Sequence, residues 1–69
     1  MGEIEKIEAQ RIALAKKREE HRDLDDAIAA LEAAAARDAL QIQRLKRQKL
    51  ALKDEIKRIE DQIHPDIIA

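Results

Sequence analysis

The sequence predicts an all-α fold in which two antiparallel helices pack as a hairpin along a seam of coiled-coil type. The composition is the first evidence, because strong helix formers dominate a chain of 69 residues that contains one glycine and one proline. Apolar residues also recur with a seven-residue period, and blocks of opposite charge alternate along the chain. This length is enough for one small domain.

The first helix is predicted over residues 3–34. Glu3, Glu5 and Glu8 lie in its first turns, where carboxylates stabilise the positive end of the helix dipole. Two heptad columns between Ile7 and Ile63 define the seam, and 12 of their 17 positions are apolar. The seam residues expected to form the core or interface are Leu24, Ile28, Leu31, Ile42, Leu45, Leu52, Ile56 and Ile59.

A turn is predicted at residues 35–38. Asp38 is a suitable N-cap for a second helix, and Gln41 three residues later completes the pattern of a capping box. The alanines of residues 33–36 favour helix instead, and the seam keeps one phase across them. One long helix in an antiparallel or domain-swapped dimer is therefore the alternative architecture.

The second helix is predicted over residues 39–63, so that residues 1–63 form one hairpin domain. Pro65 disfavours helical geometry at His64 and ends the helix. Residues 64–69 then form a short C-terminal tail. This tail is either a frayed or packed end, or a segment that docks on a partner or is recognised by a protease.

Charge favours antiparallel pairing of the helices. Residues 19–36 carry a net charge of −5 and residues 37–58 a net charge of +5. A chain that folds back near residue 36 brings these blocks together, whereas a parallel dimer places each block beside its own copy. Antiparallel pairing aligns seam positions whose numbers sum to 73, such as Leu24 with Lys49.

The residue types needed for catalysis and metal binding are scarce. The chain has no Ser, Thr or Cys, so the common nucleophiles are missing, and His21 and His64 are far apart in sequence. We therefore expect no enzyme activity, no metal and no cofactor. The lack of cysteine, of a signal-peptide-like run and of a membrane-length apolar stretch predicts a cytoplasmic protein that does not associate with membranes.

Two polar residues on the seam columns are candidates for a special role. We interpret His21 as a partly buried structural histidine beside a carboxylate, with a pH switch as the alternative. Lys49 is expected to extend past Leu24 toward Asp25 or another acidic residue of the first helix. Alternatively, Lys49 is the polar seam residue that fixes register or oligomeric state.

A basic run on the second helix is the candidate surface for a polyanion. We expect it mainly to face the acidic block of the same fold, because that block can neutralise its charge. The chain also has no aromatic residue on which bases could stack. Binding of nucleic acid is the alternative. The run consists of Arg44, Lys46, Arg47, Lys49, Lys53, Lys57 and Arg58.

Apolar residues also lie off the seam, at Ile4, Ile12, Leu40 and Leu50. A chain this short rarely builds a sufficient core alone, so we predict self-association, most simply a dimer that forms a four-helix bundle. The expected function is an interaction module or adaptor that contacts itself and an unidentified protein. A nucleic-acid-associated protein is the alternative.

Two stretches carry a resemblance to a known family. One is His21-Arg22-Asp23-Leu24-Asp25 followed by Ile28, Leu31 and Glu32, and the other is RLKRQKLALKDEI from Arg44 to Ile56. They resemble the YdcH-like proteins, small bacterial helical proteins of unknown function, over roughly residues 20–60. The resemblance implies a cytoplasmic two-helix hairpin and no particular activity. Relatives commonly carry Gly or Pro at the connection, where this chain has alanines.

Overall fold

The computed structural model describes residues 2–63 as two antiparallel α-helices with a short connection. Helix α1 spans Glu3–Ala33 and helix α2 spans Ala39–Ile63. The predicted all-α hairpin is confirmed, and the chain reverses direction within itself rather than continuing as one long helix. The tail expected at residues 64–69 lies outside the described residues.

The connection reverses the chain without a residue of positive φ. Ala34 leaves the helix by adopting an extended conformation, with φ −68° and ψ 146°, and its N–H donates to the carbonyl of Leu31. None of residues 2–63 has positive φ. Any L-residue can adopt an extended backbone, so the turn does not require the glycine that many helix ends use.

Asp38 starts the second helix. Its carboxylate accepts a hydrogen bond from the backbone N–H of Gln41 at 3.1 Å, and its carbonyl accepts one from the N–H of Ile42 at 3.0 Å. The first bond satisfies a backbone donor in the first turn of α2 that has no partner within the helix, and the second is the first i→i−4 bond of the helix. Asp38 therefore fixes the residue at which the helical backbone resumes.

The core is a single row of aliphatic side chains between α1 and α2. Four of these residues are buried, namely Leu14, Ile28, Ile42 and Leu52. The other aliphatic seam residues of the described helices are half-buried, and they are Ile7, Leu24, Leu31, Leu45, Ile56, Ile59 and Ile63. Two helices can each bury only one stripe against the other, so the core has no second layer.

The molecule is elongated and exposes much of its surface. Its Cα radius of gyration is 15.6 Å and its dimensions are 52 × 25 × 15 Å, whereas a compact domain of this length has a radius of gyration of about 11 Å. Its accessible surface is 5789 Å², against about 4,400 Å² for a compact monomer of this mass. The hairpin therefore has surface to spare for contacts with other molecules.

We expect Ile42→Ala to destabilise the hairpin by roughly 2–5 kcal/mol, because it leaves a cavity in the buried row. That loss is comparable to the whole stability of about 3–5 kcal/mol that a single small core supplies. Ile42 is 4% exposed and Leu40, two residues earlier, is 71% exposed. Leu40→Ala is the matched control and, at protein concentrations low enough for the chain to be monomeric, should change stability by about 0.5 kcal/mol or less. Urea unfolding followed by circular dichroism measures both, and equal losses would contradict this assignment of the core.

Candidate interaction surfaces

Polar contacts flank the seam on both sides of the hairpin. One side carries the cross-helix pairs Arg18–Glu60, Lys49–Asp25 and Lys46–Glu32. We name it the groove side, because a groove between α1 and α2 opens there. On the opposite side, Lys17 pairs with Glu55 and Gln10 donates to Gln62. Lys17–Glu55 sums to 72 and Lys49–Asp25 to 74. Residues whose numbers sum to about 73 therefore lie level across the helix pair, whereas Arg18–Glu60 and Lys46–Glu32, which sum to 78, join residues that are offset along it.

Asp25 receives two basic side chains on the groove side. Lys49 Nζ donates to Asp25 Oδ1 at 2.8 Å, so the lysine stem lies along the half-buried seam while its ammonium group reaches the surface. His21 Nδ1 lies 3.6 Å from Asp25 Oδ2, too far for a hydrogen bond but close enough to attract a protonated ring. The hydrogen bond from Lys49 lowers the pKa of Asp25 below its ordinary value of 3.8.

A second ion pair shifts the pKa of both its members. Lys17 Nζ donates to Glu55 Oε2 at 2.7 Å. This hydrogen bond raises the pKa of Lys17 above 10.5 and lowers the pKa of Glu55 below 4.5, because each charged form stabilises the other. Both groups are exposed to water, so solvent screens the pair.

The basic residues of α2 do not form one continuous face. Lys46 and Lys49 pair with acidic residues of α1, as given above, whereas the remaining members of the run make no ion pair within residues 2–63. Arg44 and Arg47 lie beside Leu40 around a shallow depression on α2. Lys53 and Lys57 instead line the groove side. Successive helical residues diverge by about 100°, and the run therefore wraps around the helix.

A groove of about 880 Å³ lies between α1 and α2 on the groove side. Its uncharged lining residues are Ile56 and His21, which are half-buried, and Leu50, which is exposed. Its remaining lining residues are charged, and they are Arg18, Arg22, Asp25, Lys53, Asp54, Lys57 and Glu60. Sequence reasoning missed this groove. Pairing numbers that sum to 73 would have placed Arg18 level with Glu55 and Arg22 level with Ala51, with Lys53 between those two positions on α2.

The described helices contain no metal centre and no membrane span. No group of three or more acidic or histidine side chains within residues 2–63 is placed to hold a metal ion. Neither α1 nor α2 is long and apolar enough to cross a bilayer. The surfaces available in this part of the chain are therefore the groove, the outer helix faces and the exposed aliphatic side chains.

Acid should weaken the hairpin, and Asp25→Asn should remove part of that effect. Asp25 and Glu55 have lowered pKa values in the fold, so their stabilisation is present above the unfolded pKa and is lost as pH falls through the folded pKa. The loss therefore occurs below about pH 4.5. Thermal melting across this range measures it, with Asp26→Asn as the control because Asp26 makes no ion pair within residues 2–63. If the melting temperature of Asp25→Asn falls with decreasing pH as steeply as that of the unmodified chain, the role of Asp25 is contradicted.

Comparison with known proteins identifies the family. No curated protein and no solved structure matches the chain. The model of the family DUF465, described as a protein of unknown function, matches residues 14–60. That range runs from the buried Leu14 to the paired Glu60 and includes all the residues that line the groove. The YdcH-like proteins belong to this family, so the resemblance seen in the sequence is confirmed. The chain is a member of the DUF465 family of proteins of unknown function.

Proposed function

We propose that this chain is a non-enzymatic, cytoplasmic interaction module, an adaptor that self-associates and presents a helical face to another protein. The observation that carries the proposal is the exposure of four large aliphatic side chains. Ile4 is 80% exposed, Ile12 67%, Leu40 71% and Leu50 61%. Full burial of such a side chain in an interface stabilises the complex by about 1.5–3 kcal/mol.

The surplus of surface supports the same proposal. The chain as a whole exposes about 1,400 Å² more than a compact monomer of its mass, judged by the usual scaling of area with size. A standard interface takes about 800 Å² from each partner. One hairpin therefore has enough surface for a partner in addition to the seam that holds it together.

The exposed aliphatic residues are distributed over more than one face. The heptad pattern places Ile12 on the outer face of α1 and Leu40 on the outer face of α2, away from the seam. Leu50 lies at the edge of the groove. This distribution favours two kinds of contact, one with a second copy and one with another protein.

Self-association should appear as a dimer in sedimentation equilibrium of the purified chain. Burial of exposed aliphatic side chains between copies couples folding to association, so the melting temperature should rise with protein concentration. Ile12→Glu or Leu40→Glu should lower the dimer fraction, whereas Gln43→Glu, an exposed polar control on the same helix as Leu40, should not. A monomer mass at every concentration would refute this part of the proposal.

Binding of nucleic acid is the second candidate function, and one observation favours it. Arg44 and Arg47, one turn apart, make no ion pair within residues 2–63 and flank a depression that Gln43 and Gln48 also line. Guanidinium groups in such a position can bind phosphates. The acidic block of α1 does not neutralise them, since its cross-helix pairs use Lys46 and Lys49.

A tagged chain recovered from native cells distinguishes the two functions. After nuclease treatment and a high-salt wash, an adaptor should retain one protein in fixed stoichiometry, because apolar contacts respond little to salt. Electrostatic binding to nucleic acid weakens steeply with salt and is lost with the nucleic acid. Recovery of the chain alone would remove the adaptor role. Loss of the retained protein in Leu50→Glu or Ile12→Glu, with helicity unchanged and Gln48→Glu as control, would assign the binding face.

A further inference from the structure

We propose that the groove between α1 and α2 binds an acidic amphipathic helix of a different protein. Carboxylates of that helix pair with Arg22, Lys53 and Lys57, and its apolar stripe packs on Leu50 and Ile56. The inference rests on the proposed adaptor function and names the chemistry of the partner.

The charge available in the groove is positive. Among its acidic residues, Glu60 is paired with Arg18 and Asp25 with Lys49. Arg22, Lys53 and Lys57 make no ion pair within residues 2–63, and Asp54 is the one lining carboxylate without a cation partner there. Three cations against one carboxylate favour an acidic ligand, because opposite potentials attract and orient the partner.

The cations stand on both walls of the groove, with apolar side chains between them. Lys53 and Lys57 are four residues apart, so they are neighbours on one edge of α2. Arg22 is level with Ala51 and projects from α1, on the facing wall. Leu50 and the half-buried Ile56 provide apolar surface next to these cations. The complement is an element with an apolar stripe and acidic flanks, which an amphipathic helix provides in helix-in-groove binding.

A second copy of this chain is a poor occupant of the groove. In a symmetric dimer whose two-fold axis passes through the groove, the cations Arg22, Lys53 and Lys57 of both chains would lie close together and repel. The acidic outer residues Glu19, Asp23 and Asp26 of another copy could reach these cations, but that contact uses two different surfaces. Unless it closes into a ring, it propagates into a filament. The proposed dimer therefore uses another face.

Nucleic acid is also a poor occupant. Within residues 2–63, the unpaired cations of the groove stand around the apolar side chains of Leu50 and Ile56, which a phosphate backbone would leave without a partner, and the chain has no aromatic residue on which bases could stack. A partner helix can instead carry carboxylates only at the positions that face the cations. The interspersed charges therefore favour a protein ligand with a matching pattern.

Site-specific photo-crosslinking in native cells tests the proposal. A diazirine residue replaces Leu50 in the full chain, and Ile12, exposed on the outer face of α1, is the matched control position. Mass spectrometry identifies the crosslinked segment. Two further variants carry the diazirine residue at position 50. One adds Lys53→Glu and Lys57→Glu, and the other adds Arg44→Glu and Arg47→Glu as a control with the same change in charge. Circular dichroism checks helicity, and Lys53→Gln with Lys57→Gln replaces the reversal if it unfolds the chain.

We expect position 50 to crosslink an acidic amphipathic segment of another protein. Reversal of Lys53 and Lys57 should reduce the crosslink by about tenfold or more, as for charge pairs at an interface, and reversal of Arg44 and Arg47 should leave it unchanged. The proposal is overturned if position 50 crosslinks a basic or neutral segment, a second copy of this chain or nucleic acid. It is also overturned if reversal of Lys53 and Lys57 leaves the crosslink unchanged. Crosslinks to a different protein from position 12 alone would overturn the groove while leaving the adaptor role. If neither position crosslinks a different protein, the groove proposal and the adaptor role are both overturned.

Discussion

A single row of aliphatic contacts between α1 and α2 holds this molecule together. Helices of this kind are marginal when isolated, because fixing the backbone costs about 1–2 kcal/mol per residue and tertiary packing must offset it. Two helices can bury only one stripe each, and four residues of the described chain are buried. The same limit that keeps the core small leaves most of each helix exposed. The surfaces that we propose for binding follow directly from it.

Polar residues on the seam are accommodated because their stems and head groups separate. Lys17, Lys49 and Gln10 are half-buried, yet each reaches a polar partner on the flank of the other helix. Long side chains can cover apolar surface with their methylene groups while the polar end remains solvated. These contacts also require Asp25, Glu55 and Gln62 to be level with their partners. A shift in register would unpair all of them, so the polar seam residues favour one alignment of the hairpin.

The proposed function rests on what the fold leaves unsatisfied. Ion pairs across the seam use some charged residues of each helix, but within residues 2–63 the groove retains unpaired cations on both walls around an apolar strip. The outer faces retain isolated aliphatic side chains. A partner can bury the aliphatic side chains, and the unpaired cations favour a partner that is acidic. An adaptor built in this way needs no catalytic chemistry of its own.

The sequence by itself determined the helices, the seam and the antiparallel direction, because composition, heptad spacing and charge blocks are local or periodic properties. It also indicated that Lys49 reaches Asp25 or another acid of the first helix, since a lysine on the seam must carry its charge to the surface, and the tertiary structure selects Asp25. The turn at Ala34 was ambiguous, because alanine accepts helical and extended backbone alike, and the pairing of α1 with α2 decided it. The basic run looked continuous in sequence, but helical rotation divides it between the outer face of α2 and the groove. The groove itself required the tertiary structure, because its walls come from two helices and its free charge depends on which ion pairs form across them.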